Sequence, residues 1–184
     1  SGLSKDSVFA TLSNYRINLK FPEFKADSVE FVNKKYFKGK LEGRLEEKVL
    51  ANAVGDKAIY PRFESYNKRV DLKKVVPNID YSGGFSMYGS KFIGNGDSLE
   101  QAELFIYKKD ELFAKASSKS FVFDKENVLS DNTEVKIFID EDSLGHPGLY
   151  FNYLIKSKKI ALNRSGTGAY RSQFYDTYHK LDVD

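Results

Sequence analysis

YSGGFSMYGSKFIGNGD, residues 81–97, sets five glycines among aromatic and apolar side chains, and its reading decides the fold. Glycines let backbone N–H groups approach a phosphate, with a helix N-terminus just behind the loop. That chemistry requires fixed spacing, either G-x-G-x-x-G after a strand or G-x-x-x-x-G-K-[ST]. The glycines here stand at 83, 84, 89, 94 and 96, Lys91 lies two residues beyond Gly89, and the following QAELFIYKK reads as a strand. The stretch is therefore read as sheet. Phe85 and Met87 are expected to share one face with Ile93, and Ser86, Tyr88, Ser90 and Phe92 the other. Gly89 is expected at a bulge, Asn95-Gly96 as a hairpin turn, and Gly83-Gly84 as a bend into the strand.

The text downstream carries the same signature. AELFIYKK (102–109), LFAKASSKSFVF (112–123), TEVKIFID (133–140), GLYFNYLIK (148–156) and KIALNR (159–164) are rich in β-branched and aromatic residues. The links KKDE, DKEN, SDN, DSLGHPG and KSKK are turn-forming or charged. Upstream, YRINLKF (15–21) alternates Tyr15, Ile17, Leu19 and Phe21 against Arg16, Asn18 and Lys20, which predicts a half-buried strand ended by Pro22. DSVEFV (27–32) gives a shorter one. Residues 4–13 are expected to form one or two helical turns capped by Ser4 or Asp6. In LEGRLEEKVLANAV (41–54), Leu41, Leu45 and Val49 recur at helical spacing, and this segment is expected to be the one short helix, stopped by Gly55. Short strands with hairpin-length links predict a mainly β, antiparallel sandwich or jelly roll, with a β-solenoid as the alternative. Residues 1–26 are expected as an N-terminal strap or first strand, and 27–184 as a single β-rich domain.

Composition narrows the chemistry. The 184 residues fit one domain, with a core supplied mainly by 15 Phe, 12 Tyr and the aliphatic residues. Cysteine is absent, which removes disulfides, thiolate metal sites and cysteine nucleophiles. Lys and Arg number 29 against 26 Asp and Glu, a near balance that gives no nucleic-acid footprint. The best case for nucleic acid, YLIKSKKIALNR (153–164), reads better as lysines guarding an edge strand. No apolar run approaches the ~20 residues of a transmembrane helix. The polar opening SGLSKDS reads as the interior of a longer polypeptide.

Catalytic constellations are thin. Gly84-Phe-Ser86-Met-Tyr-Gly89 misses the serine nucleophile elbow by one residue, and His146 sits in LGHPG, read as a tight turn, with no visible partner. Asp140, Glu141 and Asp142 are weak candidates for a hard cation: Phe151 stands where a calcium loop would supply its bidentate glutamate. For sugar hydrolysis two facing carboxylates are required, and Glu64, Asp80, Glu103 and Asp176 lie near aromatics. Tyr60, Phe63, Tyr66, Tyr81 and Tyr88 stand in for the absent tryptophan as stacking platforms. IYPRFESYNKRV (59–70) gathers Tyr60, Arg62, Phe63, Glu64, Tyr66 and Arg69, a set suited to a polar ligand or an interface. The aromatic tail 170–182 is the other expected contact surface. No catalytic residue and no cofactor is assigned.

YPRFESY (60–66), PNIDYSGGFSMYGSKFIGNG (77–96), EDSLGHPGLYFNY (141–153) and FYDTYHKLD (174–182) resemble segments of very large envelope or secreted proteins of Bacteroidetes-type bacteria. The resemblance covers about two thirds of the chain, from Pro61 to Lys180. It implies a β-rich module of a longer extracytoplasmic polypeptide and carries no activity onto any position. The expected function is a non-enzymatic structural or binding module whose partner is the rest of that polypeptide or an envelope protein. The alternatives are a carbohydrate-active enzyme or glycan-binding domain, and a jelly roll carrying lipid or glycolipid. A filled core and a lined cavity give the same alternation, so the pattern leaves these open.

Overall fold

The computed structural model describes residues 6–49, 58–164, 174–176 and 182–183. Its elements are β1 (Val8–Asn18), β2 (Glu23–Asn33), β3 (Leu41–Lys48), β4 (Arg62–Ser65), β5 (Val70–Val76), β6 (Ile79–Tyr88), β7 (Lys91–Asn95) and β8 (Ala102–Lys108). They continue with β9 (Glu111–Ser118), β10 (Ser120–Phe123), β11 (Asn127–Ile139), β12 (Asp142–Leu154), β13 (Lys159–Arg164), β14 (Phe174–Asp176) and β15 (Asp182–Val183). All pair antiparallel within one sheet. The sandwich expectation holds, and the stacked parallel coils of a solenoid do not occur among the described residues.

The sheet is a meander of long strands, several of them broken in the middle. β4 and β5 follow one another along one edge of β6, with β7 and β8 along the other. β9 and β10 together span β8 and β7 on one side and β11 on the other. The interruptions at 66–69, 96–101, Lys119 and the register shift after Ser130 fall in line across the sheet. Bends and bulges are how strands cross from one packed layer to another. Along this crease the sheet folds over, so that β5, the start of β6, β8, β9 and the end of β11 face β4, the end of β6, β7, β10 and the start of β11. The Tyr153 hydroxyl of β12 donates to the Pro77 carbonyl in the β5–β6 turn at 3.1 Å, a contact between segments that are not neighbours in the sheet.

The inner faces interlock by size. One layer offers Ala102, Ala114, Ala116 and Leu104; the other offers Phe85, Phe92, Phe121 and Phe123, all almost completely buried. Phe31 stacks on Phe63 at 4.3 Å, and Phe92 lies between Phe85 at 4.7 Å and Phe123 at 4.3 Å. Tyr81 crosses the crease and meets Phe92 and Phe123 edge-on at 5.2 and 5.6 Å. Its ring rests on Gly94, where a Cβ would come within 2.5 Å of it. Tyr36 and Phe37, in the turn after β2, pack edge-on against Phe85.

The opening stretch is sheet, with a different turn. β6 and β7 join at Gly89-Ser90, Tyr88 pairs with Lys91, and Gly89 takes a φ of +60°. That places Phe92 and Gly94, instead of Ile93, on the face of Phe85 and Met87. Asn95-Gly96 leads into the 96–101 excursion. The Lys109-Asp110 hairpin has positive φ at both residues, 53° and 64°, the geometry of a type I′ turn.

Helix is the main correction: among the described residues there is none. Residues 41–48 form β3, and 50–54 lie outside the described residues. Leu41 and Leu45 satisfy a period of two as well as an i,i+4 spacing, and ladders with β2 and β4 decide between them. Gly43 allows the approach: a Cβ there would lie 2.6 Å from the Phe63 ring. The helical turns expected over 4–13 are β1 from Val8 on, which β2 pairs along its length. β1 ends at Asn18, and Tyr15, Ile17, Leu19 and Phe21 are exposed, because among the described residues no second layer faces them. Two expected links lie within strands. Asp131 and Asn132 form a bulge in β11, with Asn132 at a φ of 50°, and β12 begins at Asp142 and runs through His146.

Phe92 is fully buried and packs against the rings of Tyr36, Tyr81, Phe85 and Phe123, so Phe92→Ala is expected to cost about 3–5 kcal/mol. Leu99→Ala, at a site 90% exposed, is expected to stay within about 0.5 kcal/mol of the parent. Urea unfolding followed by tyrosine fluorescence measures both.

Candidate binding surfaces

Alternation on β4 sorts the aromatic–basic segment. Phe63 points inward and is 1% exposed, so it belongs to the core and not to a contact surface. Arg62 and Glu64 point outward. The Arg62 guanidinium lies over the Tyr60 ring at 4.6 Å and the Tyr88 ring at 5.0 Å. Glu64 accepts from Arg44 Nε at 2.8 Å and from the Tyr88 hydroxyl at 3.1 Å. The Glu64 carboxylate raises the Arg44 guanidinium further above its ordinary value, first by hydrogen bonding and then by charge. The Tyr66 hydroxyl donates to the Asp27 carbonyl. Tyr60, Arg62, Glu64 and Tyr66 thus share one outward patch with Tyr88 and Arg44. Arg44 was hidden by the helical reading of its segment.

Arg69 stands apart, at the crease. It donates to Ser82 Oγ at 3.0 Å, the Gln101 carbonyl at 3.1 Å and Glu103 at 3.1 Å, and it pairs with Glu100 at 3.1 Å. Glu103 also holds Lys115 at 2.6 Å. Asp80 accepts from Lys73 Nζ and from the Lys74 amide, each at 2.8 Å. Burial pushes the Asp80 carboxyl up, but these two donors and the Lys73 charge outweigh it and hold the carboxyl below the usual range. Glu64, Asp80 and Glu103 are therefore each tied to a cation. Asp176 lies in β14, where it pairs with Leu144.

Asp140 forms the β11–β12 turn with a φ of 53°, and Asp142 opens β12. Among the described residues no group of three or more His, Asp or Glu side chains is arranged to hold a metal ion. His146 is 2% exposed on β12, opposite Val135, and its Nδ1 accepts from the Gly148 amide at 3.1 Å. It is a buried strand residue, where a turn was expected.

The folded sheet is open at the ends of its layers farthest from the crease. A groove of about 560 Å³ lies there, lined chiefly by Ile106, Phe113, Ile137, Tyr153, Ile160 and Leu162. Ile137 and Tyr153 sit at opposite ends of the β11–β12 pairing, and only the fold-over brings them to one groove. Beside it is a depression of about 910 Å³ bordered by Lys73, Lys74, Lys109 and Lys158, with Asp80 and Asp110. Asn78, Tyr107 and Lys158 border both. The sequence reading placed most of the strands from Ala102 onward but not the crease, so it missed this opening.

Comparison with protein-family models, curated proteins and solved structures finds no match for the chain. Among the described residues no helix is long and apolar enough to cross a membrane.

A carboxyl held below its ordinary value stabilises the fold above the unfolded-state pKa of about 3.9, and that contribution is lost as pH falls through the lower folded value. Asp80→Asn is expected to cost about 1–3 kcal/mol at pH 7. The difference from the parent is expected to shrink below about pH 4. Urea midpoints at several pH values check this; a gap that does not narrow contradicts it.

Proposed function

We propose that the protein is a non-enzymatic β module of a larger cell-envelope or secreted polypeptide, and that it docks on a neighbouring extended segment through β1. The observation that supports this is the edge itself. Among the described residues β1 pairs only with β2, and its eleven residues present a row of unpaired N–H and C=O groups, a template for strand addition. Tyr15 and Ile17 are about 60% exposed, and Leu19 and Phe21 lie exposed beside them, so an added strand would gain apolar contacts as well as a ladder. The resemblance of residues 61–180 to envelope and secreted proteins supports the extracytoplasmic setting.

The carbohydrate-active reading has less behind it. A general acid needs a carboxyl raised toward the working pH, whereas Asp80 is lowered, and Glu64 and Glu103 are each paired with a cation. The rings of Tyr60 and Tyr88 that would stack on a sugar already carry Arg62.

A photo-crosslinking residue at Ile17, in the full polypeptide in its native cell, is expected to form adducts with another segment of that polypeptide or with an extracytoplasmic protein. The same group at Leu99, also exposed, is expected to form few. Equal adducts at both positions, or none at Ile17, contradict docking through β1.

A further inference from the structure

We propose that the open mouth of the folded sheet binds a single-chain amphiphile with an anionic headgroup, its alkyl chain in the groove and its carboxylate or phosphate on the lysines at the rim. Near the crease the two inner faces fill each other. At the mouth they do not: Phe113, Ile137, Ile160 and Leu162 are only half-buried, and the groove of about 560 Å³ between them falls within the ~300–1,000 Å³ of small-molecule sites. The Tyr153–Pro77 hydrogen bond ties the two layers together beside it.

The charge at this mouth has one prevailing sign. Lys108 and Lys159 border the groove, and Lys108 Nζ stands 5.5 Å from the Phe113 ring. Lys74, Lys109 and Lys158 border the adjoining depression. Its carboxylates are Asp80, committed to Lys73 and the Lys74 amide, and Asp110 in the turn. Among the described residues Lys74, Lys109, Lys158 and Lys159 make no ion pair. An apolar slot beside uncommitted ammonium groups matches a ligand with an apolar tail and an anionic head. A neutral apolar ligand would leave those charges without a partner, and a cationic one would be repelled.

The test is calorimetric titration of the purified chain with palmitate and with hexadecyl phosphate, each below its aggregation concentration. Saturable one-to-one binding of either is expected, and the tighter of the two identifies the headgroup. Hexadecyltrimethylammonium is expected to bind at least about tenfold more weakly. The double variant Lys109→Glu, Lys158→Glu changes exposed turn residues and is expected to weaken the anionic ligand about tenfold or more. The chain has no tryptophan, so Ile160→Trp supplies a single reporter that brominated palmitate is expected to quench. Phe9→Trp, on β1, is expected to be unaffected. The proposal is overturned if neither anionic ligand saturates, if the ammonium amphiphile binds as well, if charge reversal leaves affinity unchanged, or if Phe9→Trp is quenched equally. Self-association through the mouth, seen in sedimentation as a dimer that amphiphile does not dissociate, also overturns it.

Discussion

The contact of the Tyr81 ring with Gly94 across the crease is the constraint on which the rest depends. A single antiparallel sheet has one apolar face here, and that face is buried only if the sheet folds onto itself or onto something else. Tyr81 comes from the layer before the crease and Gly94 from the strand just after it, so their approach fixes both the fold-over and its tightness. The Tyr81 hydroxyl donates to the Gly84 carbonyl at 2.5 Å, which satisfies a buried polar group where the strand changes layers. Burial raises the Tyr81 phenol far above its usual value, with the Arg69 charge opposing, so the ring stays neutral. From this point the phenylalanine row spreads outward through Phe92, Phe123, Phe85, Phe63 and Phe31.

Two features follow from a fold held at its crease. Far from the crease the layers are free to diverge, and they enclose a groove bordered by half-buried aliphatic residues and lysines. Beyond the reach of the second layer, β1 and the ends of β2 and β3 extend as a tongue whose inner face, among the described residues, meets no opposing strand. Tyr36 and Phe37 cover only the part nearest the core. Both candidate surfaces are thus places where the apolar face continues and its cover stops. Their chemistry differs: the mouth is apolar with a cationic rim, and the tongue is apolar with an open backbone edge.

The sequence carried the strands well because period-two patterning and turn residues are local signals. KIALNR coincides with β13, and KKDE and KSKK mark hairpins. It failed at 41–48, where both periods fit and only the neighbours β2 and β4 choose between them. It failed at His146 and at residues 130–132, because glycine, proline and aspartate read as turns while the ladder continues through them. Arg62, Glu64 and Tyr66 stand on one side by alternation, and Tyr60 joins them through the Arg62 guanidinium. The same alternation sends Phe63 inward, and Arg69 lies past the crease among other partners. The crease itself is a set of aligned interruptions in strands far apart in sequence, and no local pattern records that alignment. Hence the groove, whose walls come from strands 106–162, was illegible.

The central claim is that Gly94 is glycine because Tyr81 occupies the space above it. A double-mutant cycle of Gly94→Ala with Tyr81→Leu, measured by urea unfolding, tests this most directly. The account predicts that Gly94→Ala destabilises the parent by about 1–3 kcal/mol and costs clearly less once the tyrosine ring is gone, with a coupling of about 1–2 kcal/mol. An equal cost in both backgrounds would mean that the ring does not rest on Gly94, and the fold-over described here would be wrong.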